Sequence, residues 1–231
     1  METIKRLLLL GILAAVFSCT PAYIPNVVNT PLLTEKNDLN LATYTGTSGF
    51  DLQGSYALTD NIGLMINSSM SNRANDSTDN YHRHAFFEVA PGYYTNYGRI
   101  GVVEVYGGYG HGWVDSYYSN SYFLSYSKAN VSRFFIQPGM GLTTHIFDGI
   151  ASVRLVYVSI FQDNISDYGV FFEPVLTGKL GYKYLKFVGQ MGFSMPVLSK
   201  EINFEYQPFL VSFGVQINLG ALVKSASQNN H

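Results

Sequence analysis

Few residues in this 231-residue chain have the type and spacing that chemistry requires. His82 and His84 stand two apart with Asp79 close by, and in an extended strand that spacing puts both rings on one face. No further ligands follow at metal-binding spacing. The Gly-x-Gly pieces between Gly108 and Gly112 lie inside strand-like stretches and open no helix, so they form no phosphate loop. Cys19 is the only cysteine, which excludes a disulfide within one chain. Two sets of side chains remain. One is eight charges scattered through otherwise apolar stretches: Asp51, Glu88, Glu104, Arg133, Arg154, Glu173, Lys179 and Lys186. The other is a run of rings among serines between Ser116 and Lys128, namely Tyr117, Tyr118, Tyr122, Phe123 and Tyr126. Tyrosine mixed with serine is the composition of adaptable binding surfaces. The expectation is a protein without a catalytic centre, metal or cofactor.

The elements that must position these residues are strands. From Phe209 to Leu219 the odd positions are Phe209, Val211, Phe213, Val215, Ile217 and Leu219. The even ones are small or polar except Leu210. Alternate side chains of a strand face opposite ways, so one face is apolar throughout. The same alternation recurs back through the chain, and strands are expected near 39–45, 49–58, 62–72, 83–95, 100–114, 131–145, 149–161, 169–181, 184–197 and 206–219. The connections at Thr59-Asp60-Asn61, Asn96-Tyr97-Gly98, Phe147-Asp148-Gly149 and Gly181-Tyr182-Lys183 are short, and those at 73–82, 115–130, 162–168 and 198–205 are longer and polar. Outer-membrane barrels alternate short periplasmic turns with long external loops in this manner. The fold class read from this pattern is all-β, a closed antiparallel up-and-down transmembrane barrel of about ten strands, with eight as the alternative. The weakest strand is the first. Prolines at Pro91, Pro138 and Pro174 face lipid in this register and predict local bulges, because proline lacks the ladder donor.

Met1 to Ser18 reads as a leader, with Lys5 and Arg6 before the apolar run Leu7 to Phe17. Its end, Val16-Phe17-Ser18-Cys19, resembles a bacterial lipoprotein box and marks Cys19 for lipidation. Residues 19–38 carry Pro21, Pro25 and Pro31 and fit no closed sheet; they form either a lipidated tether or a plug in the lumen. The barrel occupies 39–220, and 221–231 is a polar tail. An even strand count places the N-terminus and the C-terminus together on the periplasmic side.

With apolar residues facing lipid, the eight charges point inward, four acids against four bases. A lipid-facing Arg or Lys near mid-membrane costs roughly 2–4 kcal/mol, which accounts for the direction. A narrow barrel holding balanced long side chains is largely filled. A turn centred between Tyr182 and Lys183 would set Lys179 opposite Lys186, so an anionic group is expected between them: Glu104, the tether carboxylates Glu35 or Asp38, or a bound anion.

The chain as a whole resembles the small outer-membrane barrels of Gram-negative bacteria. The leader with Cys19-Thr20-Pro21-Ala22-Tyr23-Ile24-Pro25, then Thr45-Gly46-Thr47-Ser48-Gly49 and the Gly189-Gln190 strand, look like a lipoprotein-barrel group of the Bacteroidota. The resemblance implies the fold and the outer membrane, and it transfers no activity. Omptin-type proteases also place His and Asp at a barrel rim, but their paired aspartates have no match here. Lipid A deacylases need a His-x-Ser, which is absent. The functional expectation is therefore a structural or partner-binding role in the envelope. Outer-membrane lipid would be one partner, and an envelope protein or glycan would bind through the external loops. The alternative is a narrow channel for ions or very small solutes. A formal charge of −2 without any basic stripe excludes nucleic acid.

Overall fold

The computed structural model describes residues 21–75, 79–119, 124–162, 165–182, 184–197 and 204–221. Among them lie eleven strands: β1 Leu39–Gly46, β2 Gly49–Ala57, β3 Ile62–Asn75, β4 Asn80–Tyr97, β5 Gly101–Ser119, β6 Leu124–Thr143, β7 Phe147–Gln162, β8 Ile165–Tyr182, β9 Leu185–Phe193, β10 Met195–Pro196 and β11 Phe209–Asn218. Every consecutive pair from β1 to β9 is antiparallel, β9 pairs with β11, and β11 pairs with β1. The sheet thus closes on itself and has no free edge to pair with another chain. The two residues of β10 continue β9 past Ser194 along β8, so the barrel has ten staves. The first strand, short as it is, pairs along its length with β2 on one side and β11 on the other.

Burial alternates along the strands as the pleat demands. In β7, Asp148, Ile150, Ser152, Arg154, Val156 and Val158 are buried, while Phe147, Ala151, Leu155 and Tyr157 are exposed. The outward set forms an apolar belt that includes Leu52, Ile66, Phe87, Ile136, Leu155, Leu176, Phe187 and Phe213. Among the described residues no helix is long and apolar enough to cross a membrane.

Several expectations from the sequence are corrected by the register. The prolines cause no bulges: Val89 faces Tyr109 and Gly92 faces Tyr106, so the pairing sum is unchanged across Pro91. Likewise Ile136 faces Leu155 and Gly139 faces Ser152 across Pro138, and Val153 pairs directly with Pro174. The barrel gives up a donor at each proline and keeps its stagger. The segment 115–130 is mostly strand, since β5 runs to Ser119 and β6 starts at Leu124. The turn expected at 147–149 lies at 144–146, which places Asp148 in β7 with its side chain inward. Lys179 faces Val188 and Lys186 faces Gly181, two residues away from the expected opposition.

The barrel is bevelled. Staves β1, β2, β9 and β11 have 8 to 10 residues, about what a tilted strand needs to span a bilayer core. Staves β4 to β8 have 16 to 20. Their excess lies at one end, where β5 continues past exposed Trp113 as Val-Asp-Ser-Tyr-Tyr-Ser. At the other end the turns directly adjoin exposed rings such as Tyr97, Phe147 and Tyr182. The projecting hairpins define a hairpin end, and the flush turns define a turn end.

The chain ends part company. Asn218 pairs with Asn40 at the turn end. Tyr23 bridges Tyr206, in the segment that enters β11 at the hairpin end. The expectation places both termini on one side; the described residues begin at Pro21 at the hairpin end and stop at Ala221 at the turn end. Of the segment 19–38, given above as a tether or a plug, residues 21–33 are buried inside the barrel.

A closed barrel in detergent should migrate differently before and after boiling, with a strand-dominated circular dichroism spectrum. Leu155→Arg, in the middle of the belt, should lower the unfolding free energy in vesicles by roughly 2–4 kcal/mol. A helical spectrum, or an unchanged midpoint for Leu155→Arg, would contradict this architecture.

Candidate functional site: the filled lumen

The site is built from the proline-containing segment outward. Inside a closed and packed barrel a peptide group has no water to bond, so each amide and carbonyl needs a protein partner. A strand meets this need with its ladder, but a segment with Pro21, Pro25 and Pro31 cannot. Side chains of the barrel wall take the place of the ladder.

Gln190 serves both polar groups of one residue: the Val28 amide donates to its Oε1 at 2.7 Å, and its Nε2 donates to the Val28 carbonyl at 2.9 Å. Gln53 Nε2 donates to the Val27 carbonyl and Gln137 Nε2 to the Asn29 carbonyl, each at 2.7 Å. Lys179 Nζ donates to the Thr30 carbonyl at 2.5 Å, and Asn40 Nδ2 to the Pro31 carbonyl at 3.2 Å. The Leu32 amide donates to Glu104 Oε2 at 3.1 Å. Asn29 donates from its side chain to Asn67 Oδ1 at 2.7 Å. Seven strands thus hold consecutive residues of the segment.

Its apolar side chains fill gaps between these bonds. Leu33 packs with Ala57 and Tyr94, Leu32 with Val102 and Ile150, and Val27 with Tyr44, Val188 and Leu210. The wall is cut to fit at Gly63, where an added Cβ would stand 2.7 Å from Leu33 Cδ1. Below this the chain turns over through Leu32 and Asn37, both at positive φ. Asp38 Oδ2 accepts from the Thr34 amide, the Thr34 hydroxyl and the Glu35 amide, which fixes the turn into β1.

Near mid-barrel four charges alternate in sign. Arg133 Nε lies 2.8 Å from Glu88 Oε1, Arg154 lies 3.7 Å from Glu88 Oε2, and Arg154 Nε lies 2.9 Å from Glu173 Oε2. The Arg133 guanidinium sits 4.5 Å over the Phe86 ring, and that of Arg154 5.3 Å over Phe135. Tyr23 of the plug donates its hydroxyl to Glu173 Oε1 at 2.7 Å, and Ser194 donates to the same oxygen at 2.8 Å. The quartet has no net charge, and its cost of desolvation is offset only while all four members remain. Above it the inward face turns apolar: Ala129, Val131, Val156, Val158, Ile160 and Phe171 form one cluster with Ala22 and Tyr23.

Lys186 finds a partner other than those expected, while Glu104, one of the expected acids, lies close enough to Lys179 for the two charges to attract. Lys186 Nζ lies 2.6 Å from Asp148 Oδ1 and donates to the Thr144 carbonyl at 2.8 Å. Lys179 binds the plug carbonyl and Gln216 Oε1, at 2.8 Å for the latter. Asp148 was missed because Phe147-Asp148-Gly149 has the composition of a turn. Asp51 is buried and accepts the Ser48 hydroxyl at 2.7 Å. All eight charges singled out in the sequence are buried, Lys186 the least completely.

Two other candidates resolve differently. His82 Nε2 and His84 Nδ1 are 2.9 Å apart, and His84 Nε2 is 3.4 Å from Ser69 Oγ, while Asp79 sits in the exposed hairpin turn. Among the described residues no three His, Cys, Asp or Glu side chains group as a metal site. Of the ring-rich run, Tyr117 pairs with Tyr126 across the β5–β6 hairpin and stacks on Tyr81 at 6.0 Å, and Tyr118 is half-buried. Tyr122, Phe123 and Cys19 lie outside the described residues.

No protein-family model matches the chain, and no curated protein does. Among solved structures, the N-terminal β-barrel domain of Pseudomonas aeruginosa OprF is similar at 11% identity and a TM-score of 0.32, over 79% of this chain and 98% of that one.

Two substitutions separate the parts of the site. Arg154→Met leaves Glu173 and Glu88 short of a cation and should cost about 3–5 kcal/mol in unfolding free energy. Gln190→Leu strips both polar groups of Val28 of their partner and should cost on the order of 1–3 kcal/mol per group. Urea titration in lipid vesicles measures both. Values within error of wild type would mean that water, not protein, surrounds these groups.

Proposed function

We propose that this chain is an outer-membrane barrel lipoprotein of the Gram-negative envelope, of the Bacteroidota-like group its sequence resembles, with a structural and partner-binding role. Its lumen is sealed by its own N-terminal segment, so it acts as an anchored platform and not as a conduit or an enzyme. The observation that carries this reading is the occupation of the lumen by residues 21–33, with wall side chains bonded to five successive residues, Val27 to Pro31. Balanced charge points the same way. A path for ions is usually lined by one sign, whereas here Glu88, Arg133, Arg154 and Glu173 neutralise one another.

Cys19 carries the lipid in this reading. The platform's working surface is the projecting β5–β6 hairpin, where Tyr117, Tyr118 and Tyr126 stand on paired strands with Tyr122 and Phe123 between them in sequence. Rings held on a rigid hairpin can stack on a sugar face or pack into a protein groove without much loss of freedom on binding.

Planar-bilayer recording of the refolded mature protein tests the sealed lumen. The intact chain should remain non-conducting, and a variant lacking residues 21–33 should show discrete openings. Steady conductance by the intact chain would overturn the platform reading in favour of a narrow channel. Mass spectrometry of the envelope protein should find diacylglycerol on Cys19, lost in Cys19→Ala.

A further inference from the structure

The plug has a direction, and the direction assigns sides. Thr34 lies at the turn end, where its carbonyl accepts from Asn96 Nδ2 at 2.7 Å, just before the β4–β5 turn. Thr30 and Pro31 come next, bonded to Lys179 and Asn40. Val28 and Asn29 follow at mid-barrel with Gln190 and Asn67. Tyr23 ends the course beside Glu173 and Tyr206. There the Ala22 and Tyr23 amides both donate to the Glu205 carbonyl, at 2.9 and 3.1 Å, and the Gln207 amide donates to the Tyr23 carbonyl at 2.9 Å. Tyr23 to Thr34 reach roughly 36 Å at full extension, enough for a hydrocarbon core of about 30 Å.

We propose that the N-terminal segment crosses the membrane inside its own barrel, so that the chain before Pro21 lies on the hairpin side and the C-terminus on the turn side. Short turns are the periplasmic ends of outer-membrane barrels and projecting hairpins the external ones. The mature N-terminus is then displayed on the cell surface. The exit point is also given. The Tyr23–Tyr206 bridge lies against the entry to β11, on the short wall of the bevel. On that side the rim drops to membrane level. Cys19 precedes Pro21 by two positions, so at most about 7 Å of chain separates them. On the lipoprotein reading given above, its acyl chains enter the outer leaflet beside β11 and β1, not the periplasm-facing leaflet. The plug is then tied at both ends, by lipid above and by β1 below, and cannot slide out of the lumen.

Because Cys19 is the only cysteine, single-thiol variants report each side cleanly. Cys19→Ala/Thr20→Cys, behind an exchanged secretory leader, should react with a membrane-impermeant maleimide on intact cells. Cys19→Ala/Gln228→Cys should react only after permeabilisation. A short epitope inserted between Thr20 and Pro21 in the lipidated protein, read with antibody on intact cells, gives the same answer without removing the lipid. Heat-modifiable mobility certifies that each variant has folded. Labelling of the folded Thr20→Cys variant only after permeabilisation, or of both thiols on intact cells, would overturn the proposal. Absence of diacylglycerol on Cys19 with the labelling pattern intact would remove the lipoprotein reading alone and leave the crossing in place.

Discussion

The structure depends on one constraint: no backbone polar group buried in the barrel can be left without a partner. The barrel meets it by closing, with β11 joining β1. A second chain segment inside the barrel raises the same demand again, without a ladder to meet it. The answer is a set of long amides and charges on the inner face, Gln53, Gln137, Gln190, Glu104 and Lys179, each spent on a peptide group of residues 27–32. These side chains look like pore lining in the sequence and act as a substitute ladder in the fold. Were the segment absent, each would lose the peptide group it now meets, which ties the stability of the wall to the presence of the plug.

Electrostatics follows from the same constraint. Glu88, Arg133, Arg154 and Glu173 are all buried and sit in alternating order, so each charge has an opposite neighbour and no long-range field remains. The phenol of Tyr23 enters this group as a hydrogen-bond donor to Glu173. The outer part of the plug is therefore held to this buried charge cluster, and the segment 204–208 lies over it through Phe204 and Tyr206. Closure at the hairpin end rests on that apolar cluster, while at mid-barrel and the turn end polar bonds to the plug alternate with the apolar contacts of Val27, Leu32 and Leu33.

Much of this was legible in the sequence because a period of two fixes which face a residue takes. Each of the eight charges singled out in the sequence was placed on the right face by alternation alone. Leu210, the one large apolar residue on the polar face of the last strand, was already a sign of an internal partner, and it meets Val27. Register was not legible: it is set by where each turn sits, and a turn displaced by a residue or two moves every cross-strand partner. That is why Lys179 and Lys186 do not oppose each other and why Asp148 was read as a turn residue. Loop lengths misled at 115–130, where serine and asparagine read as loop but tall strands continue beyond the belt. The course of residues 21–33 was beyond periodicity altogether, because its hydrogen-bond partners are spread over seven strands and no local pattern records them.

Hydrogen–deuterium exchange of the folded protein in detergent, read by peptide, tests the account at its centre. The amides of residues 22–33 should be protected on the same timescale as those of β5 and β7, with Val28 and Leu32 among the slowest. Exchange of that segment within seconds, while the strands remain protected, would show an unplugged barrel with a free tether and would contradict the account.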